Sequence, residues 1–310
     1  MRRARPIPEV ISECFGETAK VKARLALVHE LREFASRELQ LPAERQYDRY
    51  TDLHRDYVVW VVHAVPEFSV DAKTWWYPVL GKLKYRGYFS EADAQGEGDR
   101  LSAQGMDVVV GGTEAYSTLG WLRDPVLNTF LGRSDAELAE LIFHELTHQR
   151  LYLKGDTDFN EALATAVGEA GARLWLKSKG RLADLDSYNR DHRLQRDIIA
   201  AMLRMREELS LLYARHAGSP PDNLRALKAA AFTRLREEAR RLRVAAGVQP
   251  PHRVSLLNNA GLNSVAAYYA MLPGFERLIA AEDGDIPGFL RRAEAMKPLT
   301  KEQRRALLDP

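Results

Sequence analysis

The sequence is short of several things, and each shortage removes a class of protein. It has one cysteine, Cys14, so no disulfide can form within the chain and no thiolate-rich metal site can be built. It has almost no excess charge: 45 basic against 43 acidic residues leave a net +2. That balance gives no electrostatic basis for nucleic acid or an anionic membrane as the main partner. It lacks a run of about 18 apolar residues, the least that a membrane-spanning helix needs. Basic residues open the chain (MRRARPIPEVI), but no apolar stretch follows them, so the start does not read as a signal peptide. Internal repeats and low-complexity segments are absent as well.

What is there is an ordinary globular composition, 45% apolar and 28% charged over 310 residues, enough for a core of normal size. Residues 17–39 carry Val21, Leu25, Val28, Leu31 and Phe34 at helical spacing. Residues 57–65, 75–80, 83–89 and 106–110 are β-branched or aromatic and read as strands, with Gly111 and Gly112 ending the last. The polar, Gly-containing residues 91–105 read as a loop between strands, and 115–121 as a further extended piece. After Pro125 the pattern turns to long helices, over 135–154, 159–179, 184–215 and 222–246, followed by shorter ones. Ser134 with Glu137 forms a capping-box pattern at the first of these, and Gly155 is placed to stop it. Asp158 is a candidate N-cap for the second, and Gly180 lies beyond its end. Sheet first and helices after predict an α+β, mainly helical chain with a small, mostly antiparallel sheet in its N-terminal part. The expected organisation is one domain over 1–310, a helix-plus-sheet portion to residue 125 and a helical portion from 126.

The chemistry concentrates at His144-Glu145-Leu146-Thr147-His148. On a helix, residues four apart lie about 40° from each other around the axis, so both imidazoles can reach one metal ion. Glu145 is placed beside them, where its carboxylate can take a proton from metal-bound water. With 8 histidines in the chain, chance places this HExxH pattern in roughly 1 of 60 such sequences. A catalytic zinc needs a third protein ligand. Glu161, at the start of the next helix, is the expected one; Glu169, two turns further along about the same face, is its alternative. Asp158-x-x-Glu161 is also a capping-box pattern, which gives Glu161 a purely structural reading.

Around this group, Tyr268 is a candidate donor to the oxyanion of a tetrahedral intermediate, with Tyr269 and Tyr116 behind it. Asp156 and Thr165 are candidates for orienting the ligand imidazoles. Asn258, Asn259 and Asn263 read as helix caps or cleft residues. The remaining histidines (29, 54, 63, 192, 216 and 252) lack metal spacing, and residues 234–243 alternate Arg with Glu as a solvated helix face does.

The run HELTHQRLYLKGDTDFNEALATAVGE resembles the bacterial putative aminopeptidase family of HExxH zinc proteins. So do GGTEAYSTLGWLRDPVL from Gly111 and LNNAGLNSVAAYYAMLPGF from Leu257, and the similarity runs from Arg5 nearly to the end. The resemblance implies a zincin-like core, one zinc per chain held by His144, His148 and Glu161, Glu145 as general base, and a peptide substrate. No GxMEN segment for gripping a free amino terminus is present, and Glu114 is the residue that could take that role. Trp76 and Lys82 stand where the resemblance leads one to expect two cysteines, the pattern left by loss of a dispensable disulfide. It also implies a place in the cell envelope. A substrate backbone is expected to pair with the extended piece near residues 115–119, in a cleft between the sheet and the HELTH helix. The rival from another class is a non-catalytic, zinc-containing peptide-binding or envelope scaffold protein, for which an intact Glu145 has no use.

Overall fold

The computed structural model describes residues 4–13, 17–78, 81–115, 118, 122–248 and 257–309. Its first part runs β1 (Arg5–Pro6), α1 (Ile7–Ser12), α2 (Ala19–Arg37), β2 (Arg49–Thr51), β3 (Val59–Pro66), β4 (Trp75–Tyr77), β5 (Gly81–Leu83), β6 (Arg86–Tyr88), α3 (Glu91–Ala103), β7 (Met106–Thr113) and β8 (Val126–Leu127). After a 3-10 turn at Asn128–Phe130 come α4 (Asp135–Arg150), α5 (Thr157–Ser178), α6 (Leu182–Arg215), α7 (Pro221–Ala245), α8 (Asn259–Tyr269), α9 (Leu272–Ala281), α10 (Ile286–Glu294) and α11 (Lys301–Leu308). The chain is α+β, with 61% of the described residues helical, so helices carry most of the burial. The strands form three small sheets, β1-β2-β8, β6-β3-β7 and β4-β5, instead of the one expected. The pairs β1–β2, β3–β6 and β4–β5 are antiparallel, and β2–β8 is parallel. Among the described residues no helix is long and apolar enough to cross a membrane.

The chain divides into two compact units, one of residues 1–59, 112–185 and 271–310, the other of 60–111 and 186–270. In the first, α4 starts with the expected capping box: Ser134 Oγ accepts from the Glu137 amide, and the Glu137 carboxylate accepts from the Ser134 amide at 3.0 Å. Leu138, Ala139, Ile142, Phe143 and Leu146 make its buried stripe. Helix α5 is buried almost all round, which makes it the central helix of this unit. Glycines let it come close to its neighbours. A Cβ on Gly171 would lie 2.7 Å from Phe143 Cδ2 and 2.9 Å from Leu39 Cδ1. Phe34 of α2 meets Phe143 at 5.8 Å, and Phe159 of α5 meets Phe275 of α9 at 5.2 Å.

Two helix ends differ from the sequence reading. Helix α4 stops at Arg150, before Lys154, because Leu151 turns extended and buries its side chain. Gly155, at φ +77°, turns the connector that follows instead of the helix end. Helix α5 begins at Thr157, so Asp158 lies inside it and Asp156 is the N-cap residue. Gly180, at φ +66°, stands past the end of α5 as expected.

The second unit corrects the loop reading of residues 91–105, of which Glu91–Ala103 form α3. Ser90 caps it by accepting from the Asp93 amide, and Ala94, Gly98 and Leu101 bury one stripe. The glycines that suggested a loop serve packing: a Cβ on Gly98 would sit 2.8 Å from Val110 Cγ2. The strand read over 83–89 is reduced to β6 at Arg86–Tyr88, with Leu83 ending the separate strand β5. Strand β7 continues through Gly111 and Gly112 to Thr113. Gly112 is required there within the first unit, since a Cβ would lie 2.2 Å from Cγ of the Tyr57 ring. Trp76 and Lys82, the two positions where cysteines were expected, are direct register partners across β4–β5. Helices α6 and α7 bury Met205, Leu209, Tyr213, Phe232 and Leu235 in a common cluster.

Candidate metal centre

Helix α4 presents His144 and His148 one turn apart, their rings 4.8 Å apart and nearly perpendicular. The two Nε2 atoms face each other at 3.2 Å. Glu161, in the second turn of α5, brings Oε2 to 3.4 Å from His144 Nε2 and 3.6 Å from His148 Nε2. Three local features deliver that carboxylate. The connector 151–156 is pinned by Asn160, whose side chain accepts from the Leu153 amide at 2.8 Å and donates to the Leu153 carbonyl at 2.9 Å. Gly155 reverses the chain. Gly168 then allows α5 to lie against α4: a Cβ there would come within 2.8 Å of the Glu140 carbonyl oxygen and 3.3 Å of His144 Cβ.

The three side chains form a group able to hold a metal ion, with ligand atoms all within 4.8 Å of one another. Ligands about 2.0–2.1 Å from a tetrahedral metal lie roughly 3.3 Å apart. The observed edges of 3.2, 3.4 and 3.6 Å fit such a centre. Burial opposes the charge on Glu161, but the two imidazoles outweigh it and hold the carboxyl well below the usual range. Burial alone would lower the His148 imidazole; the carboxylates of Glu161 and then Glu145 reverse that and raise it. Burial raises the Glu145 carboxyl, against the pull of His144 and His148. The second nitrogen of His148, Nδ1, is buried without a hydrogen-bond partner among the described residues.

With this geometry established, residues 1–308 match the family described as Putative aminopeptidase. The chain belongs to that family. No curated protein and no solved structure matches it.

For this member of the putative aminopeptidase family, the metal group takes in some of the expected residues, and the others have their own surroundings. Glu161 stands beside the imidazoles, whereas Glu169 is buried further along α5 and accepts from Arg173 at 3.0 Å. Glu161 is not in a capping box, since α5 starts at Thr157. Thr165 donates to the Glu161 carbonyl at 2.8 Å, and Asp156 is held by Arg304. Glu114 pairs with Arg133 at 2.7 Å and lines a cavity of about 250 Å³ with Arg55, Asp56, Tyr57, Asn128 and Thr129. Tyr268 lies half-exposed on α8 in the second unit, its ring 6.5 Å from that of Tyr269. Asn258 caps α8 by accepting from the Gly261 amide, while Asn259 bonds Tyr213 and Asn263 bonds Val70. Arg240 pairs with Glu237 on an exposed face, as the alternation over 234–243 predicts. Cys14, Tyr116, His252 and most of the extended piece 115–121 lie outside the described residues.

Two residues near the centre escaped sequence reading. Gly168 is one, and its signal was present: Gly168-Glu169-Ala170-Gly171 puts two glycines on one side of a long apolar helix. Tyr47 is the other. Its backbone takes φ +53°, rare for a bulky residue, and its buried hydroxyl has no hydrogen-bond partner among the described residues. Burial pushes the phenol up, and the nearby charges of Glu145 and Asp124 add to it. Gln46 fixes the neighbouring backbone by donating to the Leu122 carbonyl and accepting from the Asp124 amide. No periodicity in the sequence marks a left-handed tyrosine.

Proposed function

We propose that this protein is a zinc peptidase with a zincin-like core, which removes residues from the free amino terminus of peptides. The observation that carries the reading is the convergence of His144 Nε2, His148 Nε2 and Glu161 Oε2 at edges of 3.2–3.6 Å, next to a carboxylate that is not part of the triangle. Two imidazoles and one carboxylate are a donor set that suits zinc with a position left open. Zinc, when bound, supplies Lewis-acid polarisation of the scissile carbonyl and makes water acidic enough to lose a proton near neutral pH.

The protein's own groups do the rest. Glu145 leaves α4 about 100° round from His144, so it borders the metal group without joining it. Burial raises its carboxyl while His144 and His148 pull it down, and from this position the carboxylate can take the proton of the attacking water. It then has the proton to give to the leaving amine. The oxyanion role read for Tyr268 is tested by Tyr268→Phe, for which a fall in kcat with unchanged metal content is expected. Amino-terminal preference follows the family name, with Glu114 as the proposed grip on the terminal amine, in competition with Arg133.

Metal analysis of the purified protein, together with turnover of aminoacyl and internally quenched peptides, tests the reading. About one zinc per chain with turnover of free-amino substrates is expected. A metal-free protein that stays inert when zinc is added contradicts it.

A further inference from the structure

The connector between the two helices that bear the metal group is only residues 151–156, so its shape sets where Glu161 sits relative to His148. Asp156 closes this connector and occupies the N-cap position of α5, yet its side chain makes no bond into its own helix. An N-cap aspartate ordinarily accepts from an amide in the first turn. Here the carboxylate instead accepts from Arg304 of α11, at 2.6 Å from Nη2 and 3.0 Å from Nε. Both residues are buried, 5% exposed for Asp156 and 7% for Arg304. The guanidinium also donates to the Leu299 carbonyl and stacks over Phe159, two residues before Glu161, at 5.5 Å. Arg305 adds a second contact to the same turn, at 3.3 Å from Asp158.

The far end of α11 is fixed independently. Gly274 of α9 admits the Leu308 carbonyl, which a Cβ would meet at 2.2 Å, and Arg277 donates to the carbonyls of Leu308 and Asp309. A capping box of Thr300 and Gln303 starts the helix, which puts Arg304 at the end of its first turn. The C-terminal helix is therefore built to hold a guanidinium against the connector, at a point where a simple cap would have served α5 alone.

We propose that α11 is a latch on the metal centre: through the Arg304–Asp156 pair, docking of the C-terminal helix and binding of metal at His144, His148 and Glu161 strengthen each other. This rests on the metal reading above. Arg304 is a positioning residue, acting through Asp156 and the first turn of α5. Coupling of this kind is reciprocal, so metal must hold the helix down as much as the helix holds the metal ligand in place.

The test is zinc affinity, measured by competition with a chromophoric chelator well below the melting temperature, together with limited proteolysis around residues 297–300. Removing partners that orient metal ligands lowers affinity roughly 10- to 100-fold, and Arg304→Met is expected to do the same. In the wild type, zinc should slow cleavage ahead of α11; in Arg304→Met that protection should vanish. Trp175→Phe, which removes the 2.9 Å bond to Glu30 at the far end of α5, is the control and should keep both wild-type affinity and protection. If Arg304→Met does not fold, the double variant Arg304→Met with Asp156→Asn, which leaves no buried charge unpaired, is read in the same way. A folded variant with wild-type zinc affinity, or zinc that leaves wild-type cleavage unchanged, overturns the latch alone. A wild type that binds no zinc overturns the metal reading and the latch with it.

Discussion

Gly168 of α5 faces His144 of α4 so closely that a Cβ would lie 3.3 Å from the histidine Cβ and 2.8 Å from the Glu140 carbonyl oxygen. The absence of one methyl group thus sets how near the helix of Glu161 comes to the helix of the two histidines. Gly168→Ala should push the helices apart. Overpacking of this kind costs about 1–3 kcal/mol, offset by alanine's better helix propensity of about 1 kcal/mol. The expected result is a small loss of thermal stability and a clear loss of zinc affinity, read by melting curves and chelator competition. Full affinity in Gly168→Ala would show that the approach is not what spaces the ligands.

The metal group should respond to pH in opposite directions with and without metal. In the metal-free protein His148 is raised by the carboxylates of Glu161 and Glu145, after burial has pulled the other way. A raised imidazole contributes stability that is fully present below the unfolded value of about 6.5 and is lost as pH rises through the folded value. Zinc needs the imidazoles neutral and competes with their protons. The stabilisation from added zinc should therefore be small at pH 6 and larger at pH 8. Melting curves at the two pH values, with and without zinc, check this; a zinc shift of equal size at both contradicts it.

Tyr47 offers a test of the pocket next to Glu145. Its buried hydroxyl has no partner among the described residues, and an unsatisfied buried polar group costs about 1–3 kcal/mol. Tyr47→Phe should leave stability unchanged or raise it by about 1 kcal/mol in denaturant unfolding. A loss of stability larger than that would mean that the hydroxyl is satisfied in the folded protein.

Specificity is checked by paired substrates. Peptides with a free amino terminus should be cleaved and their acetylated forms should not, and Glu114→Gln should raise KM for the former. Equal turnover of both forms would point to cleavage within chains and leave Glu114 to its pairing with Arg133.

Much of this was legible in the sequence, and the failures share a cause. The helices of the C-terminal half announced themselves through long apolar periods and caps, and Ser134 with Glu137 performs as its spacing predicts. Local pattern failed where tertiary contact decided the outcome. Residues 91–105 read as a loop because Gly96 and Gly98 depress helix propensity, but Gly98 is small so that Val110 can approach. Helix α4 ends early because Leu151 is drawn into the core. At the site, spacing marks His144 and His148 and leaves the third place open between Glu161 and Glu169, whereas the roles of Gly168, Tyr47 and Arg304 depend on partners up to 148 positions away. A single sequence does not reveal such partners.

The most direct measurement of the central claim compares the wild type with Glu145→Gln for zinc content, melting temperature and peptide turnover. Glu and Gln have similar volume and helix propensity, and Glu145 is outside the metal triangle. Zinc content and melting temperature should therefore stay near wild type. An amide cannot accept the proton from the attacking water, and general-base assistance is worth about 10²- to 10⁴-fold. Turnover should fall by at least that factor in a protein that still carries about one zinc per chain. A zinc-loaded Glu145→Gln protein with wild-type turnover would contradict the account.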